Sequence, residues 1–259
     1  MAKLRPSSHP RARAEPGRSA PAAKAKVPES GRPFRALVFD LDGTLVDSAP
    51  DIRVALNRTL AESDLKPVPL AAVRRMIGDG AEQLVARGYA AHGIALDGET
   101  LERRYRRFLR FYRGDSVATL SRPYPGVIET LATLEAAGFR LGVCTNKPAV
   151  ATRAVLERLD LKRFFAAAVS SDEVAAHKPD PSHLRAVLDA LGVEARAAVM
   201  VGDNRNDVVM AHAARVAVVA VAYGYPGRDP ASLGADLLIE RFDRLPAALR
   251  RLAKREPLP

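Results

Sequence analysis

Asp40 and Asp42 stand two residues apart in Phe39-Asp-Leu-Asp-Gly-Thr-Leu-Val-Asp47, directly after the apolar run Ala36-Leu-Val-Phe39. Side chains at i and i+2 of an extended chain point the same way, so the two carboxylates can converge on one centre. An Asp-x-Asp-Gly run also suits a hard, oxygen-liganded ion such as Mg²⁺, with Gly43 permitting a tight loop. The plainer alternative is a polar strand exit closed by an Asx turn. Three further segments follow apolar runs in the same manner. Val143-Cys-Thr-Asn146 offers Thr145 and Asn146, a hydroxyl and backbone N–H groups able to hold phosphate oxygens. His177-Lys-Pro-Asp-Pro181 offers Lys178 on a proline-braced turn, and Val201-Gly-Asp-Asn-Arg-Asn-Asp207 offers a second acid pair, Asp203 and Asp207. Singly, these read as a helix cap, a solvated lysine and a capped turn. Presented in order as acid pair, hydroxyl, cation and acid pair, they are poorly explained as coincidences.

The elements that must position these groups follow from hydrophobic patterning. Residues 36–40 form a continuous apolar run of the kind buried on both faces of a parallel sheet. From Ala49 to about Val117 the pattern is helical, with helices expected over 50–62, 69–77 and 80–91 and a fourth along the stripe Leu101, Tyr105, Phe108, Leu109 and Tyr112. After Pro123-Tyr-Pro-Gly126, helices (127–137, 149–159, 181–191, 206–213 and one from about Leu245) alternate with strands (139–144, 166–170, 197–202, 216–221 and 236–239). That alternation predicts an α/β fold, a doubly wound parallel sheet with a Rossmann-like core. The helical stretch then becomes an inserted α-helical cap domain, giving a core of 34–47 and 120–259 and a cap of 48–119.

Composition narrows the class of protein. The chain has 259 residues and a single Cys, which excludes an intramolecular disulfide and fits a reducing, cytoplasmic setting. The uncharged apolar stretch Val216–Gly227 is shorter than the roughly 20 residues of a bilayer span, so no membrane association is expected. The formal charge of +10 raises the question of nucleic acid. Residues 1–33, however, carry eight basic and two acidic side chains and six prolines, and so hold six of those ten charges. This stretch reads as a disordered tail. The remaining 32 basic and 28 acidic residues are an ordinary balance, which makes nucleic-acid binding a poor expectation; the modest excess could steer a small phosphate ester, the expected partner, toward the site, and a monomer or homodimer is expected.

The four segments resemble the four motifs of the haloacid dehalogenase superfamily in its phosphatase branch. The run from Phe39 to Asp51, with Ile77-Gly-Asp-Gly-Ala81 and Ala222-Tyr-Gly-Tyr225, is most similar to the phosphoglycolate phosphatases, over about residues 34–250. The resemblance implies hydrolysis of a small phosphorylated metabolite, foremost 2-phosphoglycolate, through an aspartyl-phosphate. Asp40 would be the nucleophile, Asp42 the general acid and base, and Lys178 the charge-compensating cation. Thr145, Asn146 and the Gly43 loop would hold phosphate, and Mg²⁺ would sit on Asp40, the Asp42 carbonyl, Asp203 and Asp207. Dehalogenases of this fold lack an acid at the Asp42 position. Another sugar-phosphate phosphatase or a phosphomutase would use the same residues, and a nucleic-acid or partner-binding protein using the basic tail is the reading from a different class. Arg215 stands where the family commonly has a helix-ending Gly, so a left-handed residue there would be strained by roughly 1 kcal/mol.

Weaker features have plain readings. The six arginines among residues 101–113 fit a solvated helix face with the aromatics turned to the core. Gly78, Asp79 and Gly80 are candidates for cap contacts to substrate. The five histidines show no metal-ligand spacing and read as surface or local packing, and Cys144 as a small apolar filler.

Overall fold

The computed structural model describes residues 33–113 and 117–254. The expected basic tail, but for Pro33, lies outside them.

The run after Pro33 forms β1 (Ala36–Phe39), the centre of a six-stranded sheet with β4 (Arg140–Thr145), β5 (Ala167–Ser170), β6 (Ala198–Gly202), β7 (Ala217–Val221) and β8 (Leu237–Ile239). The strand order is β5-β4-β1-β6-β7-β8 and every pairing is parallel. The chain therefore builds outward from β1 to one side and then returns to build to the other, which opens a crevice at the carboxyl ends of β4, β1 and β6. All four residues of β1 are buried, the requirement for helices on both faces. Leu37 and Phe39 pack with α5 (Val127–Ala136), α6 (Ala149–Arg158) and α9 (Leu245–Leu252). Ala36 and Val38 pack on the opposite face with α7 (Pro181–Leu191) and α8 (Arg205–Ala213).

The stretch after β1 is helical as expected: α1 (Ala49–Ala61), α2 (Leu70–Met76), α3 (Ala81–Ala90) and α4 (Gly98–Phe111). These helices share a hydrophobic cluster around Ile52, Leu56, Leu60, Val85, Tyr89 and Phe108, which Ala151 of α6 also joins. On α4 the arginines turn outward, where Arg103, Arg106 and Arg107 pair with Glu99, Glu102 and Glu62.

Two strands were not anticipated. β2 (Val46–Asp47) and β3 (Arg122–Pro123) form a two-residue antiparallel pair that joins the outgoing and returning connections of the helical block. Val117 and Ala118 already pack with the sheet cluster, so the return to the core starts before residue 120. Arg215, just after α8, has φ of +59°, the left-handed conformation foreseen for it.

Candidate active site

The loops leaving β1, β4 and β6 meet a buried lysine in the crevice. Asp40 directly follows β1, and its N–H still bonds Val201 O at 2.9 Å, so the sheet holds its backbone. Asp40 Oδ1 accepts Leu41 N–H at 2.7 Å and Lys178 Nζ at 2.8 Å, while Oδ2 accepts no hydrogen bond among the described residues. Lys178, 2% exposed, also bridges to Asp207 Oδ1 at 2.8 Å. Burial opposes its charge, but Asp207 and Asp40 outweigh that and raise its pKa. Behind it, His183 Nδ1 accepts the Lys178 backbone N–H at 3.2 Å. Thus one of the histidines set aside as packing positions the central cation.

Asp203 is fully buried, with Oδ1 accepting from Thr44 Oγ1 at 2.8 Å and Oδ2 from Tyr225 N at 2.6 Å. Asp207 Oδ2 accepts the N–H groups of Asp203 and Asn204, both at 3.2 Å, closing the capping box that starts α8. Gly43 explains how Asp203 comes so close. Its φ is +94°, and a Cβ there would lie 2.4 Å from Asp203 Oδ2. Gly43 N–H is bonded to Val46 O at 2.9 Å, so the structure gives this residue a loop-shaping role where phosphate binding was expected.

Oxygens of Asp40, Asp203 and Asp207 lie within 4.8 Å of one another. Burial pushes the Asp40 carboxyl up to about 7 against the pull of Lys178. Burial likewise raises Asp203 well above the carboxylate range, with Asp40 and Asp207 adding repulsion. Of the three buried carboxylates only Asp40 and Asp207 touch the Lys178 ammonium, and Asp203 has no cationic partner among the described residues, a deficit that a divalent cation with oxygen ligands would offset. The donor set therefore fits Mg²⁺. Asp207 already serves Lys178 and two backbone amides, which makes it the buttress of the trio.

Asp42 points into the same cleft but finds a different partner. Both its oxygens accept from Lys147 Nζ, at 2.8 and 2.9 Å, and Oδ1 also accepts Ser48 Oγ at 2.5 Å. Lys147 is 5% exposed and lies over the Tyr112 ring, 4.7 Å from its centroid. The sequence reading missed both residues: Lys147 directly follows the Thr145-Asn146 pair, and Tyr112 looked like core on its helical stripe. A lysine between a buried strand and Pro148 was the available signal.

Thr145 is buried in the cleft wall, its Oγ1 accepting Lys147 N–H at 3.2 Å. The Asn146 side chain has a role of its own, since Nδ2 is committed to Gly78 O and Lys178 O, both at 3.0 Å. Its side-chain N–H groups tie the helical block to the lysine loop, which leaves the backbone N–H as the group Asn146 could offer phosphate. Gly78 and Gly80 line the cleft, whereas the Asp79 side chain turns to Arg87 and Asn206. The cleft lies between the strand ends and an apolar wall of Ile52, Ile77, Leu84, Phe108 and Tyr112. Cys144 is buried beside it, and burial raises its thiol pKa, consistent with a packing role.

Comparison with known proteins agrees with this geometry. Residues 37–221 match the family model described as haloacid dehalogenase-like hydrolase. Over 215 residues the chain is 50% identical to a phosphoglycolate phosphatase of Rhodospirillum rubrum, covering 82% of this chain and 89% of that protein. It is 43% identical to a phosphoglycolate phosphatase of Caulobacter vibrioides, covering 86% and 94%. A crystal structure from Haemophilus somnus 129PT, described as a predicted phosphoglycolate phosphatase, superposes with a TM-score of 0.77 at 30% identity, covering 83% of this chain and 97% of that one.

Proposed function

The chain belongs to the haloacid dehalogenase-like hydrolase family, and on that footing we propose that it is a Mg²⁺-dependent phosphatase of small phosphorylated metabolites, 2-phosphoglycolate foremost. The observation that carries the proposal is the buried trio Asp40, Asp203 and Asp207, with Lys178 bridging Asp40 and Asp207. Asp40 Oδ2, which accepts from no donor among the described residues, is the attacking oxygen. It forms a bond to phosphorus as the bond from phosphorus to the substrate oxygen breaks, giving an aspartyl-phosphate. Asp42 delivers a proton to the leaving alkoxide and later takes one from the water that attacks the intermediate. Lys178 offsets the charge of two approaching anions, and Thr145 offers a hydroxyl at the phosphate position. Mg²⁺ would be held by Asp40 and Asp203, with Asp207 behind them, and when bound would supply positive charge at the phosphoryl group.

The block α1–α4 serves as a cap in this reading, its apolar wall excluding water from the first step. A panel of phosphate esters compared by kcat/KM tests the proposal. 2-Phosphoglycolate should lead, with phosphate and glycolate as sole products. Phosphate transfer to a second sugar hydroxyl in excess of hydrolysis would make the protein a mutase and overturn it.

A further inference from the structure

Two polar groups in the cleft have no part in the chemistry just described. Tyr112 Oη is buried beside the Lys147 ammonium, and among the described residues no acceptor takes its proton, an arrangement that is costly unless something completes it. Lys147 Nζ stands over that ring, 3% exposed at the side chain, and faces the cleft beside Asp42. Burial pushes the Tyr112 hydroxyl up to about 12, so it is a donor at neutral pH. For Lys147, burial opposes the charge and Asp42 outweighs it, so the ammonium persists.

We propose that Lys147 and Tyr112 form a carboxylate-binding subsite that selects substrates bearing an anionic group on the leaving alcohol. The inference rests on the phosphatase reading and deepens it. Lys178 is occupied by Asp40 and Asp207, so among the cleft residues Lys147 is the cation placed for a second anion. Apart from Thr145, Asn146 and the charged groups, the remaining cleft lining is apolar or glycine, and of its two acids Asp40 is engaged by Lys178, which leaves Asp42 as the one that competes for Lys147. A ligand carboxylate between Nζ and Oη would satisfy the orphaned hydroxyl and take a share of the ammonium. Drawing Nζ away from Asp42 would also open an oxygen of Asp42 toward the leaving group. Because Lys147 follows β4 and Tyr112 follows α4, the subsite closes only when helical block and sheet are together.

The test compares 2-phosphoglycolate with 2-hydroxyethyl phosphate, a near-isostere without the carboxylate. Ratios of kcat/KM are measured in wild type, Lys147→Met and Tyr112→Phe, so any rate change common to both esters cancels. The preference for the carboxylate ester should fall about 10- to 100-fold in Lys147→Met and about 3- to 10-fold in Tyr112→Phe, the range for one charged and one neutral hydrogen bond. Calorimetric affinities of the two esters for Asp40→Asn, with and without each change, read the same ratio without turnover. They separate a failed subsite from a failed hydrolysis. A preference ratio that stays within about twofold of the parent in both variants, by rates and by affinities, overturns the inference, including where both rates drop together.

Discussion

His183 Nδ1 accepts the Lys178 N–H, so its Nε2 carries the proton and donates to Val169 O at 3.1 Å. Burial, helped by Lys178, holds this imidazole down at about 4, against an ordinary 6.5. Between those values the unfolded chain binds a proton that the folded chain refuses, so stability is lost as pH falls from about 6.5 toward 4. The loss from this group is about 2 kcal/mol by pH 5. His183→Asn keeps a donor and an acceptor but cannot titrate. Urea denaturation at pH 7 and pH 5 should therefore show a smaller drop for the variant by about that amount; equal drops would remove His183 from the account. Residues of this kind show why the site was only partly legible in sequence. Asp40, Asp42, Lys178, Asp203 and Asp207 could be found because acids and a lysine after apolar strands are unusual. His183, Lys147 and Tyr112 look ordinary until the fold gives them partners far along the chain.

Asp51, in the first turn of α1, is the fastening of the helical block. Its carboxylate accepts the N–H groups of Leu120 and Ser121 and the hydroxyls of Thr119 and Ser121, immediately before β3. It thus links the outgoing connection to the returning one, beside the β2–β3 pair. Asp51→Ala strands two backbone donors and two hydroxyls, and should cost about 3 kcal/mol in urea denaturation. A change below about 1 kcal/mol would show that β2 and β3 carry this junction without it. These two strands escaped the sequence reading because two residues give no alternation to detect, and one of the four is Pro123. The longer elements were legible within a residue or two, since runs such as Ala217–Val221 and the stripe of α4 carry the period of their structure along their whole length.

At the scale of the whole molecule, the switch in winding direction about β1 gathers four carboxylates and two ammonium groups at one edge of the sheet. The excess of negative charge at this centre opposes folding and makes it a ready cation site. Mg²⁺ at about 100 times its Kd should stabilise the protein by about 2.7 kcal/mol, read as a rise in Tm. Asp203→Asn should abolish that rise, and a rise that survives the change would put the ion elsewhere. The doubly wound sheet was legible from alternation alone, whereas the way the helical block packs against it was not, because that depends on side chains far apart in the chain meeting, as Asn146 meets Gly78. The most direct test of the central claim is phosphate release from 2-phosphoglycolate by wild type and Asp40→Asn, with and without Mg²⁺. The account predicts Mg²⁺-dependent release that falls about 1,000-fold or more in the variant; release by Asp40→Asn at a rate near that of the wild type would contradict it.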